Sequence, residues 1–296
     1  MDEPLHVPVL LSEVLGALQP QRGGLFVDCT LGLGGHTHAL LAAGATRVIG
    51  LDRDRSALAV ATTRLAAFGG RVEFVHADYR QLPAVLDGQG VERVQGVLAD
   101  LGVSSMQFDT EGRGFSFRRD EPLDMRMDQS TGPTAADLVN QAGEEELANA
   151  IYQFGEERYS RRISRALVAA RPIATTGQLA AVVRRAVPTK GWQRIDPATR
   201  TFQALRIWVN KELDGLDRFV SDAADRLEPG GRLAVITFHS LEDRIVKHTM
   251  RGLAADAPGA FRVLTKKPMV PSDAETDANP RARSAKLRVG EHPVAG

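Results

Sequence analysis

The stretch "LFVDCTLGLGGHTHALL", residues 25–41, decides the fold. It begins with a short apolar run, passes through a glycine turn and ends in a helical pattern. A buried strand that leads through glycines into a helix is typical of a nucleotide-binding β-α unit. The spacing differs from the dinucleotide fingerprint, because His36 and Thr37 follow the glycines where a last glycine would fall. The turn therefore indicates a nucleotide-like ligand and leaves its identity open.

Apolar runs and helical patterns alternate over the first third of the chain. The predicted strands are Leu25–Cys29, Arg47–Asp52, Val72–Asp78 and Val94–Leu101, and the predicted helices are His36–Ala43, Ser56–Phe68 (with Ser56 as N-cap) and Arg80–Leu86. This order predicts a parallel, doubly wound α/β sheet.

The alternation then stops and later resumes. In residues 102–133 the apolar residues show no regular spacing. Residues 134–190 show only helical patterns, namely Glu144–Phe154, Glu156–Ala170 and Thr176–Ala186. A long helix is predicted over Ala198–Leu227, then strands over 230–240, 261–267 and 285–291, with a mobile loop over 268–283. The sequence predicts one sheet domain, residues 1–108 and 206–296, interrupted by a helical domain over 109–205.

Composition excludes several classes of protein. The 296 residues are 43% hydrophobic, and no apolar run approaches the roughly 20 residues that span a bilayer. Asp2 and Glu3 argue against a secretory signal, and a single cysteine, Cys29, excludes an internal disulfide and a cysteine metal cluster. We expect a cytoplasmic protein that does not bind a membrane or a metal.

The charge is unevenly distributed. The whole chain is neutral, but residues 154–206 contain eleven lysines and arginines against three acids, a local surplus of +8. Such a block predicts a face for a polyanion, with a salt-bridged helical surface as the alternative.

An acid stands at each of four predicted strand ends: Asp28, Asp52, Asp78 and Asp100. Carboxyl ends of parallel strands share one edge of the sheet, where an acid after the second strand can accept both ribose hydroxyls. NAD also needs the full glycine turn for its pyrophosphate, whereas S-adenosylmethionine has no phosphate and suits a looser turn. We expect S-adenosylmethionine, with Asp28 towards its ammonium group and Asp78 or Tyr79 at its adenine.

The fourth strand end predicts what receives the methyl group. Methylation of cytosine C5 ordinarily uses a cysteine thiolate, and Cys29 lies beside the cofactor turn, where packing is the expected role. An exocyclic amine instead needs an acceptor that orients its N–H groups, and Asp100 can supply one. Aromatic stacking of a base would then come from Phe108, Phe115 or Phe117.

Five longer motifs carry a resemblance to a known family. They are "DLGVSSMQFD" (100–109), "RGFSFRRDEPLDMRMD" (113–128), "TRTFQALRIWVNKEL" (199–213), "FHSLEDRIVK" (238–247) and "NPRARSAKLR" (279–288). With them, nearly the whole chain from "HVPVLLSEVL" (6–15) onwards resembles the bacterial 16S ribosomal RNA cytosine-N4 methyltransferases of the RsmH (MraW) type.

The resemblance implies a Rossmann-like class I fold and S-adenosyl-L-methionine as methyl donor. It implies a cytidine near the decoding centre of 16S rRNA as target, methylated at N4 within the assembled small ribosomal subunit. The implied cofactor-binding positions are Gly34, Gly35, His36, Asp52, Tyr79, Asp100 and Gln107, with Asp100 also catalytic.

The residues that contact the RNA are predicted from their charge and from their place at the sheet edge. We expect contacts from Arg161, Arg162, Arg165, His239, Arg281 and Arg283. For His239 a hydrogen-bonded structural role is the alternative.

Glu242 and Asp243 are expected to cap a helix. Asp124, Arg126 and Asp128 either line the site or form a structural salt-bridge cluster, and Trp192 and Trp208 are expected in the core. The sequence does not determine the oligomeric state, and a homodimer and a monomer are both compatible with it.

Two other functions compete with this one. A methyltransferase of a protein amide or amine would keep the cofactor turn but leaves the basic block unexplained. An RNA-binding assembly factor with a vestigial site would not bind S-adenosylmethionine.

Overall fold

The structure, a computed structural model, describes residues 8–104, 107–108, 110–188, 195–256 and 259–294. The chain forms two compact units, one of residues 1–102 and 214–296 and the other of residues 103–213. The first is called the sheet unit and the second the helical unit. None of the described helices is both long and apolar enough to cross a membrane.

The sheet unit alternates helices and strands. In chain order these are α1 (Leu11–Leu18), β1 (Leu25–Asp28), α2 (Gly35–Ala42), β2 (Arg47–Asp52), α3 (Arg55–Arg64), β3 (Val72–His76), α4 (Leu82–Gly88) and β4 (Val94–Asp100). The helical unit then contributes α5 (Ala135–Gln141), α6 (Glu144–Gly155), α7 (Ser160–Ala169), α8 (Thr176–Ala186) and α9 (Ala198–Asn210). The sheet unit resumes with α10 (Leu216–Asp225), β5 (Leu227–Thr237), α11 (Ser240–Asp256), β6 (Arg262–Val263), α12 (Asp273–Ala278) and β7 (Lys286–Glu291).

Seven strands form one sheet in the order β3-β2-β1-β4-β5-β7-β6. The first five are parallel, and β7 runs antiparallel to both of its neighbours. The chain order reverses between β1 and β4, which is the switch point where doubly wound sheets bind ligands. The predicted α/β sheet is therefore present, with Asp28 and Asp100 at the switch point.

Helices cover both faces of this sheet. Successive strand residues alternate between two apolar clusters, so Phe26 and Leu98 pack on one face while Val27 and Val97 pack on the other. Strands buried on both faces explain why the sequence shows continuous apolar runs here and no polar alternation.

The helical unit has its own core, which includes Leu147, Ile163, Leu179 and Phe202. The segment with Leu123, Met125 and Met127 is buried in the same core. Asn210 fixes it, because its side chain accepts from the Met127 amide at 2.8 Å and donates to the Met125 carbonyl at 2.7 Å.

The observed units differ from the predicted boundaries at 108/109 and 205/206. Helix α9 closes the core of the helical unit, since Phe202 and Leu205 are buried there, so the unit continues to Leu213. The predicted helix Ala198–Leu227 is in fact two helices, because Lys211 (φ 50°) and Gly215 (φ 67°) adopt left-handed conformations between them.

Several local predictions were wrong for identifiable reasons. Asp54 rather than Ser56 caps α3, because its carboxylate accepts from the Ser56 amide at 2.9 Å. The segment 268–283 is not an open loop: it contains α12, capped by Ser272, and a 3-10 turn at Pro280–Ser284. Glu275 of α12 accepts a hydrogen bond from the Leu10 amide at 2.7 Å. Trp192, Lys190 and Arg194 lie outside the described residues.

Candidate active site at the edge of the sheet

The glycine turn lies between β1 and α2. Gly32 (φ 53°) and Gly34 (φ 80°) are left-handed, a backbone conformation that other residues rarely adopt. A Cβ at Gly34 would stand 2.7 Å from Leu65 Cδ1, so the turn also needs the lack of a side chain there. The Gly32 amide donates to Asp52 Oδ2 at 2.7 Å. The turn is thereby fixed to the end of β2.

Asp52 presents a carboxylate that is only partly satisfied by the protein. Its other oxygen accepts from the Asp54 amide at 2.8 Å, and each carboxylate oxygen can accept a second hydrogen bond. Burial raises the pKa of Asp52 to about 6, although its two backbone hydrogen bonds act in the opposite direction. An ionised Asp52 can therefore still accept two hydroxyl groups of a ligand.

Asp28 is an internal anchor. Its side chain is 1% exposed and accepts hydrogen bonds from Thr37 Oγ1 at 2.8 Å and from the Thr30 amide at 3.2 Å. Burial raises the pKa of this carboxyl, and His36 counteracts the rise. The expectation that Asp28 faces the ammonium group of a ligand is replaced by a structural role: it ties the end of β1 to α2.

Asp78 is likewise occupied within the protein. Arg80 donates two hydrogen bonds to its carboxylate, at 2.6 and 2.7 Å, and Arg53 lies at 3.6 Å. Burial alone would raise the pKa of Asp78, but the bonds from Arg80 outweigh it and lower the pKa. The neighbouring Tyr79 packs edge-on against Phe219, with 4.8 Å between the ring centroids. Of the two residues expected at the adenine, Tyr79 remains the candidate.

Asp100 and His36 form the least satisfied pair at the sheet edge. His36 Nε2 lies 3.6 Å from Asp100 Oδ2, and the two side chains are 7% and 24% exposed. Within the described chain, both ring nitrogens of His36 and Oδ1 of Asp100 are buried without a hydrogen-bond partner. Buried polar atoms are rarely left in that state. These atoms fit a polar ligand that supplies the missing partners.

Two threonines that the sequence analysis did not single out hold strand-end aspartates in place. Thr37 holds Asp28, and Thr30 Oγ1 accepts the Asp100 amide at 2.6 Å. The signal was their position on either side of the glycines, with Thr30 two residues after the strand-end Asp28.

Gln107 belongs to the helical unit. It is 5% exposed, and its side chain accepts from the Ser104 amide at 3.1 Å while Ser104 Oγ accepts the Gln107 amide. The aromatic residues that follow pack into the same unit: the Phe108 and Phe115 rings lie 6.0 Å apart, and Phe117 contacts Phe202. Phe115 is a core residue and is 7% exposed, so stacking of a base on it is not supported, whereas the partly buried Phe108 and Phe117 pack against the same core.

His239 and the acids after it serve the fold of the sheet unit. The His239 side chain is 6% exposed, with Nε2 at 3.2 Å from Glu242 Oε1. Glu242 also accepts the Phe238 amide at 2.9 Å, and Asp243 pairs with Arg288 at 2.6 Å. The structural alternative for His239 is therefore the one that the geometry favours.

The motif around Arg126 is also structural. Arg126 donates to both oxygens of Asp124, at 2.7 and 2.9 Å, while Asp128 accepts from the Ser130 amide and hydroxyl. Of the two alternatives for this motif, the salt-bridge cluster is the one observed. Trp208 packs against the core of the helical unit, as expected.

The arginines expected to contact RNA are exposed. Arg161, Arg162 and Arg165 lie on α7; of the three, only Arg165 has a carboxylate within ion-pair distance in the described part of the chain, that of Glu144 at 3.6 Å. Arg281 and Arg283 lie on the 3-10 turn after α12. The structure thus brings Asp52, His36 and Asp100 together with the glycine turn, and places the arginines on two separate elements.

The family to which these features belong follows from comparison with known proteins. The family model described as "MraW methylase family" matches residues 3–293. The chain belongs to the MraW methylase family. Curated relatives named ribosomal RNA small subunit methyltransferase H include that of Synechococcus elongatus, 53% identical over 288 residues, covering 97% of this chain and 94% of the relative. Another, from Nitrobacter hamburgensis, is 51% identical over 305 residues, covering 98% and 91%.

Solved structures resemble this methylase more distantly. An rRNA methylase from Streptococcus thermophilus is 14% identical with a TM-score of 0.43, covering 99% of this chain and 98% of that one. The fold assignment rests instead on the strand order and on the family. The protein is a Rossmann-like class I methyltransferase, and its methyl donor is S-adenosylmethionine, as the sequence predicts.

Proposed function

We propose that this MraW-family methylase transfers a methyl group from S-adenosylmethionine to the exocyclic N4 of a cytidine near the decoding centre of 16S rRNA. The observation that carries the target atom is Asp100, whose Oδ1 is a buried acceptor without a partner in the described chain. Two relatives that are more than half identical over nearly their whole length are named for the small-subunit RNA. A ribosomal substrate requires a cytoplasmic location, as proposed from the sequence.

The cofactor would be held by residues on the sheet edge. Asp52 accepts the ribose hydroxyls, Gly34 and Gly35 allow close approach of the backbone, and Tyr79 contacts the adenine. His36 and Asp100 offer their unpartnered polar atoms to the methionine side of the cofactor. Gln107, which belongs to the helical unit, is the remaining cofactor position that the family resemblance implies.

The chemistry asks little of the protein beyond placement. The sulfonium is already a good leaving group, so the methyl group moves by in-line displacement without an acid catalyst. The amine lone pair is delocalised into the cytosine ring. Asp100 would accept an N–H hydrogen bond and thereby turn the lone pair towards the methyl carbon. As the N–CH3 bond forms, the S–CH3 bond would break and S-adenosylhomocysteine would leave with the electron pair, while the N4 proton passes to solvent.

The state of Cys29 argues against the C5 alternative. This sole cysteine is 2% exposed, and burial raises the pKa of its thiol well above the ordinary value. A thiolate that could add to the pyrimidine ring is therefore not available from this chain.

Exposed arginines would hold the RNA. We assign this role to Arg161, Arg162 and Arg165 on α7 and to Arg281 and Arg283 after α12. His239 is not retained as an RNA contact, because its side chain is buried against Glu242.

A methyl-transfer assay tests the proposal. The protein is incubated with labelled S-adenosylmethionine and small ribosomal subunits from cells that lack the gene, and the rRNA is analysed by nucleoside mass spectrometry. N4-methylcytidine in the rRNA is expected. Label at C5 of cytosine or in a ribosomal protein would overturn the proposed nucleophile, and the second outcome would support an amide or amine of protein as substrate.

A further inference from the structure

A groove runs between α7 and α8 on the surface of the helical unit. It encloses about 290 Å³ and is lined by Arg162, Ala166, Ala170, Val182, Arg185 and Ala186. All six residues belong to two consecutive helices or to the residue that ends the first. The groove is therefore a local feature of this helix pair.

Helical spacing explains why the groove exists. Arg162, Ala166 and Ala170 are four residues apart and share one face of α7, and Val182, Arg185 and Ala186 share one face of α8. Val182 and Ala186 are also buried in the core of the helical unit, and Ala166 packs against it, so the floor of the groove adjoins that core. Because three of the six lining residues are alanine, the helix pair leaves space where larger side chains would fill it.

The two arginines in the groove have no acidic partner. Among the described residues, neither Arg162 nor Arg185 has a carboxylate within ion-pair distance, and the Arg185 side chain makes only a 3.3 Å bond to the Ala181 carbonyl. The adjacent Arg184 differs, since it pairs with Asp196 at 2.7 Å and lies over the Phe117 ring. Two arginines thus line one groove, and neither has an ion-pair partner among the described residues.

This combination selects one kind of ligand. Guanidinium groups form paired hydrogen bonds with phosphate oxygens, and two of them match a phosphodiester better than a single carboxylate. The apolar floor of Ala166, Ala170 and Val182 offers contact to the carbon face of a sugar. A protein partner with acidic side chains would satisfy the charge but makes no use of the narrow floor.

We propose that the α7–α8 groove binds a backbone phosphate and the adjoining ribose of a single-stranded RNA segment, with Arg162 and Arg185 as the phosphate ligands. The inference rests on the proposed function for the identity of the RNA as ribosomal. It adds Arg185 and a defined binding groove to the exposed arginines already assigned to the substrate.

The test measures RNA binding by the full-length protein. Fluorescence anisotropy with a labelled single-stranded RNA 12-mer compares the wild type with Arg162→Gln, Arg185→Gln and the double variant. We expect about a tenfold loss of affinity for each arginine. The slope of log affinity against log salt concentration should fall by about 0.7 for each lost phosphate contact.

Two further variants separate a groove from a general basic surface. Ala170→Leu changes no charge but fills the groove, and because Ala170 is exposed the fold should persist. It is expected to weaken RNA binding about tenfold with an unchanged circular dichroism spectrum. Arg218→Gln is the matched control, since this arginine of the sheet unit is 85% exposed and should bind RNA as the wild type does.

The outcomes are distinct from those that test the function. Unchanged affinity in the double variant, or in Ala170→Leu, would overturn the groove. Competition by polyglutamate as effective as by RNA would also overturn it in favour of an acidic protein partner. If the wild type binds RNA through the groove yet methylates no rRNA, the proposed function fails alone; if the variants bind normally while N4-methylcytidine still forms, the groove fails alone.

Discussion

Four aspartates at the ends of four neighbouring strands have different surroundings, and these decide their roles. Asp28 is enclosed by Thr30 and Thr37, and Asp78 is held by Arg80, so both stabilise the sheet edge. Asp52 and Asp100 keep acceptor capacity for a ligand. Identical side chains at equivalent positions therefore divide into two structural residues and two that we propose to bind the ligand.

Asp100→Ala is expected to lower the rate of methyl transfer at saturating cofactor by at least about 100-fold, because the variant loses the acceptor that orients the amine. The melting temperature should stay within a few degrees of the wild type, since Oδ1 makes no hydrogen bond in the described chain. Single-turnover kinetics and calorimetry check both parts.

Asp78→Ala serves as the contrasting variant. Removal of this carboxylate takes away the two hydrogen bonds that the partly buried Arg80 donates to it and should lower the unfolding free energy by about 1–3 kcal/mol. Full methyl transfer by Asp100→Ala would remove Asp100 from the mechanism.

Cofactor affinity is expected to fall below about pH 6, because the raised pKa of Asp52 lies there. Ribose hydroxyls donate to the ionised carboxylate, so binding favours ionisation and protonation competes with it. The Kd for S-adenosylhomocysteine should rise towards about tenfold for each pH unit below that pKa and level off above it. Isothermal titration calorimetry between pH 5 and 8 measures the change in this Kd. The control variant Asp52→Asn should bind S-adenosylhomocysteine weakly and without this pH dependence. The same pH dependence in Asp52→Asn would show that another group causes it.

At the scale of elements, helix ends are set by single backbone conformations. The apolar period continues from α9 into α10, yet Lys211 and Gly215 are left-handed and separate the helices. The polar segment 268–283 shows the opposite case, where a capped helix forms and Glu275 binds the Leu10 amide. Periodicity reports which face is apolar, whereas a turn between helices depends on one or two dihedral angles.

Gly215→Ala is expected to destabilise the protein by about 1–2 kcal/mol, because a Cβ in a left-handed conformation is strained. The nearest atom to that Cβ, Arg80 Cδ at 3.6 Å, is at ordinary contact distance, so the cost is one of backbone conformation. Urea unfolding measures the difference.

Gly252→Ala is the matched control within α11. Its Cβ would meet only Asp256 Oδ2 at 3.9 Å, and alanine there should stabilise the helix by about 0.5–1 kcal/mol. Equal effects of the two substitutions would contradict the explanation from dihedral angles.

At the scale of the whole molecule, chemistry and charge are assigned to different units. The basic block lies in the helical unit, but part of it is used internally: Arg171 donates to the carbonyls of Val139 and Ala142, Arg184 pairs with Asp196, and Arg206 pairs with Glu212. The arginines left for a polyanion are fewer than the net charge of +8 suggests.

Salt should therefore affect the two substrates differently. Between about 50 and 200 mM salt, the KM for small subunits is expected to rise roughly tenfold or more through loss of phosphate contacts. The Kd for S-adenosylhomocysteine should change less than about twofold, because its contacts at the sheet edge involve no phosphate. Equal sensitivity of both constants would show that the arginines do not hold the RNA.

The sequence by itself determined the α/β sheet, the glycine turn, the strand-end acids and the family, because these depend on local period and on residue types at fixed spacing. The tertiary structure alone decided that Asp28 and Asp78 are anchors, that His239 pairs with Glu242, and that Arg184 and Arg206 of the basic block form ion pairs. It also placed Thr30 against Asp100 and opened the α7–α8 groove. The physical reason is that a side chain's hydrogen-bond partners come from segments distant in the chain, and only folding brings those segments within bonding distance.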